Sequence, residues 1–572
     1  MRSWLSNTQL QHPLLVPVLL LAVILAVYYP AMFSGIHTID DPGIFSLYSA
    51  SPPLSLILLP GTSYYYRPLV ELSYWLDNRL WGMEPVAMHL ESILLHCANS
   101  LLVFLLARKV SNDLGKKFPL IPMLTALLFA LHPVNVEAVT WIAGRTDPLL
   151  ALFVLSASYF WLRWLDEPRW RDMVATLVLF GAALLTKETA LAFGAVVVFL
   201  TFGWPGTATV RQRMTAIGIM SVPALLLVMF ALVFRSGTSG LSRFVSGTDL
   251  QVGQGIWDAL IAFGFYARKL VVPVPLNFAI TEVHPIYGLA GVALLPVLWW
   301  MFRNCRMAGI LFISAAFFVL PALLIAVKQI AWTPIAERYL YLPSAFCAVG
   351  LSVLIQSSWK KFRGPVVLIM LLLLTGFAYI SLQRTMLWNN KLAFFQDAVV
   401  KSPSFGSVYY SLGGVLVEKG DINRAVQAFT TADLLNKRDS MRYPIKSGIM
   451  GTMLAKGENR EARSLFFQLF KEKKDAPADF LELLYMGDSK RINMLSGNDK
   501  VLLAVDLLET LDLLNQKRYD PFWFYRSGQV SLIIGDKVKA ADFFSRSYTA
   551  APADAHYRGA AGIYLHKLRR AH

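Results

Sequence analysis

Charge is what this 572-residue chain has least of: 16% of its residues are Asp, Glu, Lys or Arg, against 56% hydrophobic, and the mean hydropathy is +0.50. So little charge excludes an ordinary soluble protein and places the chain in a membrane. Acids are scarcer than bases, 37 against 53, which leaves a formal charge of +16. The bases fall in short clusters between apolar runs, as in the cytoplasmic loops of multispanning proteins, so the basicity is read as topology and nucleic acid is not a partner. Cysteine is nearly absent. Cys97, Cys305 and Cys347 lie in or beside apolar runs without metal-ligand spacing, and the polar C-terminal part has none, so neither a disulfide framework nor a zinc site is implied. A convincing cleavage site is missing as well: Arg2 precedes an apolar stretch from about residue 14 to 34, which reads as a retained first helix.

Apolar runs near 14–34, 89–107, 119–132, 148–165, 172–186, 188–203, 214–234, 285–302, 307–327, 339–357 and 365–383 suggest about eleven spans, each needing ~20 residues. Charge settles the uncertain run at 256–272. Five basic loops, marked by Arg108/Lys109/Lys116/Lys117, Arg163/Arg169/Arg171, Arg211/Arg213, Arg303/Arg306 and Lys360/Lys361/Arg363, fall on one side only if that run does not cross. It is then a surface or re-entrant helix, and 35–88, 133–147, 235–284, 328–338 and everything after about 384 lie outside the cytoplasm.

Beyond Trp388 the composition turns polar and a pattern recurs at 409–429, 447–467 and 525–544. Each copy has a small residue mid-helix, a Gly turn and an Ala five positions on: Gly420 to Ala425, Gly457 to Ala462, Gly535 to Ala540. This is the logic of tetratricopeptide helix hairpins, with a divergent unit expected around Gly497 to Ala504.

Several polar clusters are candidates for chemistry. Asp40 and Asp41, in HTIDDPGIF just after the first run, suit metal binding, base catalysis or helix capping; with Pro42 following, capping is the reading these residues favour by themselves. His89, Ser92, His96 and Asn99 share one helix face, where hydrogen bonding between helices is the expected role of Ser92 and Asn99. His89 and His96 lie ~10.5 Å apart along the helix axis, too far to share a metal. HPVNVEAVTWIAGRTDPLL supplies His132, Glu137, Arg145 and Asp147; KETA supplies Lys187 and Glu188; ERYLYLPS supplies Glu337, Arg338 and Tyr341, with Glu337 and Tyr341 stacked at i, i+4; YYYRPL adds Tyr66 and Arg67. Singly, each reads as a snorkelling side chain or a surface ion pair. Together they share one inferred membrane face, and carboxylates, cations and aromatics there suit a lipid-phosphate substrate.

In order along most of the chain, the Asp pair, YRPL, HLxxxLLH, HPxxxEAVxxIxGRxD, KExA, ERYLYLPS and the repeats resemble the transmembrane and tetratricopeptide-repeat-containing protein O-mannosyltransferases and their bacterial relatives. Ser92 departs from the pattern, standing where Asn is expected, and the repeat array is short. The resemblance implies an all-α, polytopic membrane protein of GT-C type: a glycosyltransferase domain at 1–384 and a periplasmic or lumenal tetratricopeptide-repeat α-solenoid at 385–572.

It further implies inverting transfer of a sugar, mannose or another hexose, from a polyprenyl-phosphate carrier to Ser/Thr hydroxyls of exported proteins held by the repeats. By analogy Asp40 is the base, with Asp41 the second choice, and Arg338, with Arg145 or Lys187, stabilises the departing phosphate. Glu337 and Glu188 then orient those cations, His132 and Glu137 shape the donor pocket, and Tyr341, Arg67 and His89 support it. No cofactor is expected, since a monophosphate leaving group does not require a divalent metal. The location implied is the bacterial inner membrane, or the endoplasmic reticulum in a eukaryote. The rivals are a GT-C enzyme acting on a lipid or cell-surface polysaccharide, and a nonenzymatic scaffold or transporter; a transporter would carry internal symmetry between spans, which is not seen.

Overall fold

The computed structural model describes residues 15–37, 39–59, 65–115, 120–205, 209–235, 252–328, 331–470 and 473–570. Lys116, Lys117 and all of 236–251, part of the second expected external segment, lie outside the described residues. Among the described residues every named element is a helix, and an isolated antiparallel bridge joins Ile280 to Ile335. The chain divides into two compact units, Met1–Ser402 and Pro403–His572.

The first unit opens with α1 (Leu15–Tyr28), followed by a short jaw of α2 (Asp41–Ser49), α3 (Leu54–Leu58) and α4 (Pro68–Trp81). Then come α5 (Pro85–Asp113), α6 (Leu120–Leu131), α7 (Val136–Thr140), α8 (Thr146–Asp166), α9 (Trp170–Leu184), α10 (Phe193–Gly203) and α11 (Val210–Arg235). The unit continues with α12 (Val252–Val271), α13 (Tyr287–Asn304), α14 (Arg306–Lys328), α15 (Tyr341–Trp388) and α16 (Lys391–Lys401). Pro68 and Pro85 start α4 and α5, where a missing N–H costs nothing. Within α15, Phe362 leaves helical geometry (φ −126°, ψ 29°) just before Pro365, which has no N–H to donate the regular bond and whose ring displaces the preceding turn.

Among the described residues, seven segments are long and apolar enough to cross a bilayer: Leu15–Phe33, Pro85–Asp113, Ala143–Asp166, Val210–Arg235, Arg306–Lys328, Glu337–Ser357 and Phe362–Trp388. An eighth arises if α6 and the helix at 133–140, bent by 49°, form one broken span. This is an integral membrane protein, and these candidates among the described residues do not reach the expected count of about eleven. The runs at 172–186, 188–203 and 285–302 do form α9, α10 and α13, which fall short in length or hydropathy. The run at 256–272 forms α12 and is not among the candidate spans.

Two features of packing position the site. Tyr48, Ile57, Val70, Tyr74, Met83, Met88 and Ile142 form a separate apolar cluster that seats the jaw on α5 and the turn before α8. On the far side, α12 crosses α13 at glycine: a Cβ on Gly264 would lie 2.0 Å from the Tyr287 carbonyl oxygen, and one on Gly291 2.2 Å from that of Leu260. The sequence reading ends the membrane domain at 384, where the apolar run ends; α16 nevertheless packs with the first unit, Lys401 donating to the Leu276 carbonyl (2.8 Å) and Ser402 to that of Ala279 (2.5 Å).

The second unit is a series of helix hairpins: α17 (Gly406–Glu418) with α18 (Ile422–Leu434), α19 (Asp439–Lys456) with α20 (Asn459–Leu469), and α23 (Pro521–Ile534) with α24 (Lys537–Ala550). Between them lie α21 (Ala478–Arg491) and α22 (Gly497–Lys517), where the divergent unit was expected, and α25 (Arg558–Arg570) follows. Gly420, Gly457 and Gly535 take φ of +78°, +81° and +89° at the turns, and Ala425, Ala462 and Ala540 are wholly buried. The mid-helix small residues receive aromatic rings. Phe429 lies against both Gly413 and Gly448, and Phe544 against Gly528, each so close that a Cβ would fall within 2.7 Å of the ring.

Candidate active site

The Asp pair divides into two different environments. Asp41 is wholly buried; its Oδ2 accepts the His37 N–H (2.6 Å) and its Oδ1 the Ala143 N–H (3.2 Å). It thus fastens the turn after α1 to the turn before α8. Asp40 occupies the N-cap of α2 but makes no capping bond, so the capping expectation is corrected: Pro42 cannot donate, and Asp41 takes the nearby N–H groups. Among the described residues, the exposed Asp40 carboxylate accepts no hydrogen bond.

Burial pushes Asp41 up to about 7, against the pull of its two N–H donors. Asp40 is also raised, by desolvation first, against the charges of Arg338 and Arg67. Because the folded value of Asp41 lies above the ordinary carboxylate value, its stabilisation is complete below about pH 4 and is lost as pH rises through about 7. From pH 5 to pH 8 the wild type should lose about 2–3 kcal/mol more stability than Asp41→Asn. Unfolding in detergent at the two pH values measures this, and parallel pH dependence would refute it.

Opposite Asp40 the structure gathers cations. Arg67 and Arg235 share one carboxylate, Glu188, at 2.7 Å and 3.4 Å. Lys187, buried, meets Asp147 at 2.5 Å and lies 5.1 Å from the centre of the Tyr339 ring. Desolvation lowers the Lys187 pKa; Asp147 opposes that, while Arg67 and Arg338 reinforce it. Arg338 pairs with Glu137 and lies over the rings of Tyr339 (5.0 Å) and Trp141 (5.3 Å). Two guanidiniums on one carboxylate leave one positive charge there for Asp40 or a bound anion to balance.

The backbone explains this convergence. In the IAGRTD turn, Gly144 brings the chain onto α7: a Cβ there would meet the Glu137 carbonyl oxygen at 3.0 Å. Residues 337–340 form a 3₁₀ turn, advancing about 120° per residue, so Glu337 and Tyr341 do not share a face. The expected i, i+4 stack is therefore corrected. Glu337 points to Lys269 (2.5 Å) and the Asn277 N–H (3.0 Å). Tyr341 is buried among helices, its hydroxyl 2.7 Å from His96 Nδ1 and 3.1 Å from the Asn99 amide.

Other expected residues lie outside the recess. Arg145 is buried and turns onto Asp77 (2.6 Å), Glu91 (3.3 Å) and the Met88 carbonyl (3.0 Å), joining the jaw to α5. His89 Nε2 contacts the Gly35 carbonyl at 3.0 Å, and His132 Nε2 that of Leu270 at 3.1 Å. Asn99 does bond between helices, to the Pro148 carbonyl (2.8 Å), whereas Ser92 bonds only within its own helix, to that of Met88 (3.2 Å). Glu188 orients Arg67; Glu337 does not orient Arg338, a role that falls to Glu137. Sequence reasoning missed Arg235, Tyr339, Asp77 and Lys269. Only Arg235 carried a signal, a lone cation closing an apolar run.

Residues 67–234, which supply much of this recess, match the family described as dolichyl-phosphate-mannose-protein mannosyltransferase. That stretch includes Arg67, Arg145, Asp147, Lys187 and Glu188. Over 434 residues, 64% of this chain and 47% of the relative, the sequence is 26% identical to the human protein O-mannosyl-transferase TMTC1. It is also 26% identical to human TMTC4, over 64% of this chain and 57% of the relative, and 37% identical to mouse TMTC1, over 24% and 15%. The chain is thus similar to proteins named protein O-mannosyl-transferase. The chain spans about half the length of the human relatives it matches.

Proposed function

We propose that the chain is a protein O-glycosyltransferase that moves mannose or another hexose from a polyprenyl-phosphate carrier to Ser/Thr hydroxyls of exported proteins at the extracytoplasmic membrane face. The single observation that carries this reading is Asp40: an exposed carboxylate without a hydrogen-bond partner among the described residues, beside Arg67 and Arg338. The acceptor oxygen attacks the anomeric carbon as its proton passes to Asp40. The bond from that carbon to the phosphate oxygen breaks with inversion, and the carrier phosphate leaves as an anion. Arg338, Lys187 and Arg67 supply the counter-charge, fixed in place by Glu137, Asp147 and Glu188.

Arg145 has a positioning role here, since Asp77 and Glu91 already engage it. The hairpin unit is read as a tetratricopeptide array that recruits the acceptor polypeptide, supported by the glycine turns and the ring-in-glycine packing. The test is reconstitution of the purified chain with polyprenyl-phosphate-mannose and a Ser/Thr-rich peptide. A hexose-sized mass increment on the peptide is expected; its absence, with the protein folded, would overturn the reading.

A further inference from the structure

At the other end of α8 from Asp147 lies a second feature, unrelated to sugar transfer. The helix runs 21 residues, about 30 Å, the thickness of the hydrocarbon layer, and ends at Asp166. There a cleft of about 630 Å³ opens, its lining including Trp164, Leu165, Trp204, Arg211, Arg213 and Ile219. The acid at the cleft is already engaged. Asp166 accepts the Trp204 indole N–H (2.5 Å) through one oxygen and pairs with Lys109 through the other, and Lys109 lies 5.3 Å from the centre of the Trp204 ring. Arg213 is held in place, donating to the Trp204 carbonyl (2.9 Å) and to that of Thr201. Arg211 is exposed, and its guanidinium makes no ion pair or hydrogen bond among the described residues.

We propose that this cleft binds the phosphate-bearing head group of an anionic membrane lipid, in the leaflet away from the sugar-transfer recess. Four observations favour that occupant. The guanidinium fork of Arg211 matches a phosphate in shape and charge. Trp164 and Trp204 sit where aromatic rings mark the membrane interface. The volume far exceeds that of a free inorganic anion. Below the cleft, Ile219, Val222 and Leu226 continue the Arg211 face of α11 at helical spacing and are 53%, 64% and 62% exposed, an apolar track for the acyl chains. The inference rests on the membrane reading of the fold and not on the sugar-transfer reading.

The test uses the full chain in neutral detergent and native mass spectrometry of retained lipid, with phosphatidylglycerol, phosphatidylcholine and inorganic phosphate as probes. Phosphatidylglycerol should be retained in preference to phosphatidylcholine, and millimolar inorganic phosphate should not displace it. R211Q should bind it about tenfold more weakly and R211K to an intermediate degree, while R303Q, which alters another exposed arginine, should bind as the wild type does. Unfolding temperature and sugar transfer should be unchanged in R211Q, because Arg211 makes no contact that folding needs. Equal retention by R211Q and the wild type, equal retention of the two lipids, or displacement by inorganic phosphate or by an acidic peptide would each overturn the proposal.

Discussion

Asp40→Asn is expected to reduce the rate of sugar transfer by about 10²–10⁴-fold, the range that a positioned general base contributes. The substitution keeps shape and removes only the basic oxygen. The Asp40 side chain is exposed and makes no hydrogen bond among the described residues, so the unfolding free energy should move by no more than about 0.5 kcal/mol. Asp41→Asn should behave in the opposite sense. An amide cannot accept through both of its heavy atoms, so one of the N–H groups of His37 and Ala143 would lose its partner, at a cost of about 1–3 kcal/mol at pH 5 that shrinks as the wild-type carboxyl ionises toward pH 8. Paired single-turnover rates and unfolding curves for the two variants separate base from fastener. Transfer by Asp40→Asn within a few-fold of the wild type would remove it from the chemistry. A rate lost in Asp41→Asn with stability intact would exchange the roles.

Arg145→Met should destabilise the membrane unit by about 3–5 kcal/mol, the effect of leaving a buried charge without its counter-ion. The guanidinium is 1% exposed and Asp77 2%, so no water replaces the lost contact. The Met88 carbonyl would also lose a donor. Adding Asp77→Asn should recover part of the loss by removing the orphaned charge, a recovery not expected if Arg145 met the donor phosphate directly. Unfolding of the single and double variants in detergent decides the matter. A stable Arg145→Met whose only defect is a raised KM for the donor would return this residue to phosphate binding.

Much of the helical plan can be read from the residues themselves. The apolar runs mark helices because a bilayer tolerates little else, and the Gly-to-Ala spacing at 420–425, 457–462 and 535–540 marks turns because only glycine takes those φ values cheaply. Which cation meets which acid is not legible. Arg67 finds Glu188 across 121 residues and Arg338 finds Glu137 across 201, separations that local spacing cannot encode. Local geometry hides the rest. ERYLYL reads as an α-helical stripe, but its 3₁₀ turn sends Glu337 to Lys269, brings Tyr339 beside Lys187 and leaves Tyr341 among the helices. The Asp pair is ambiguous for a similar reason: neighbours in the chain separate into wet and dry surroundings only when Ala143, about a hundred positions later, comes to meet one of them.

The ring of Phe429, shared by Gly413 below and Gly448 above, makes adjoining hairpins interdependent. Neither can melt without baring a socket in its neighbour, so these two hairpins should open together, in the manner of a clasp.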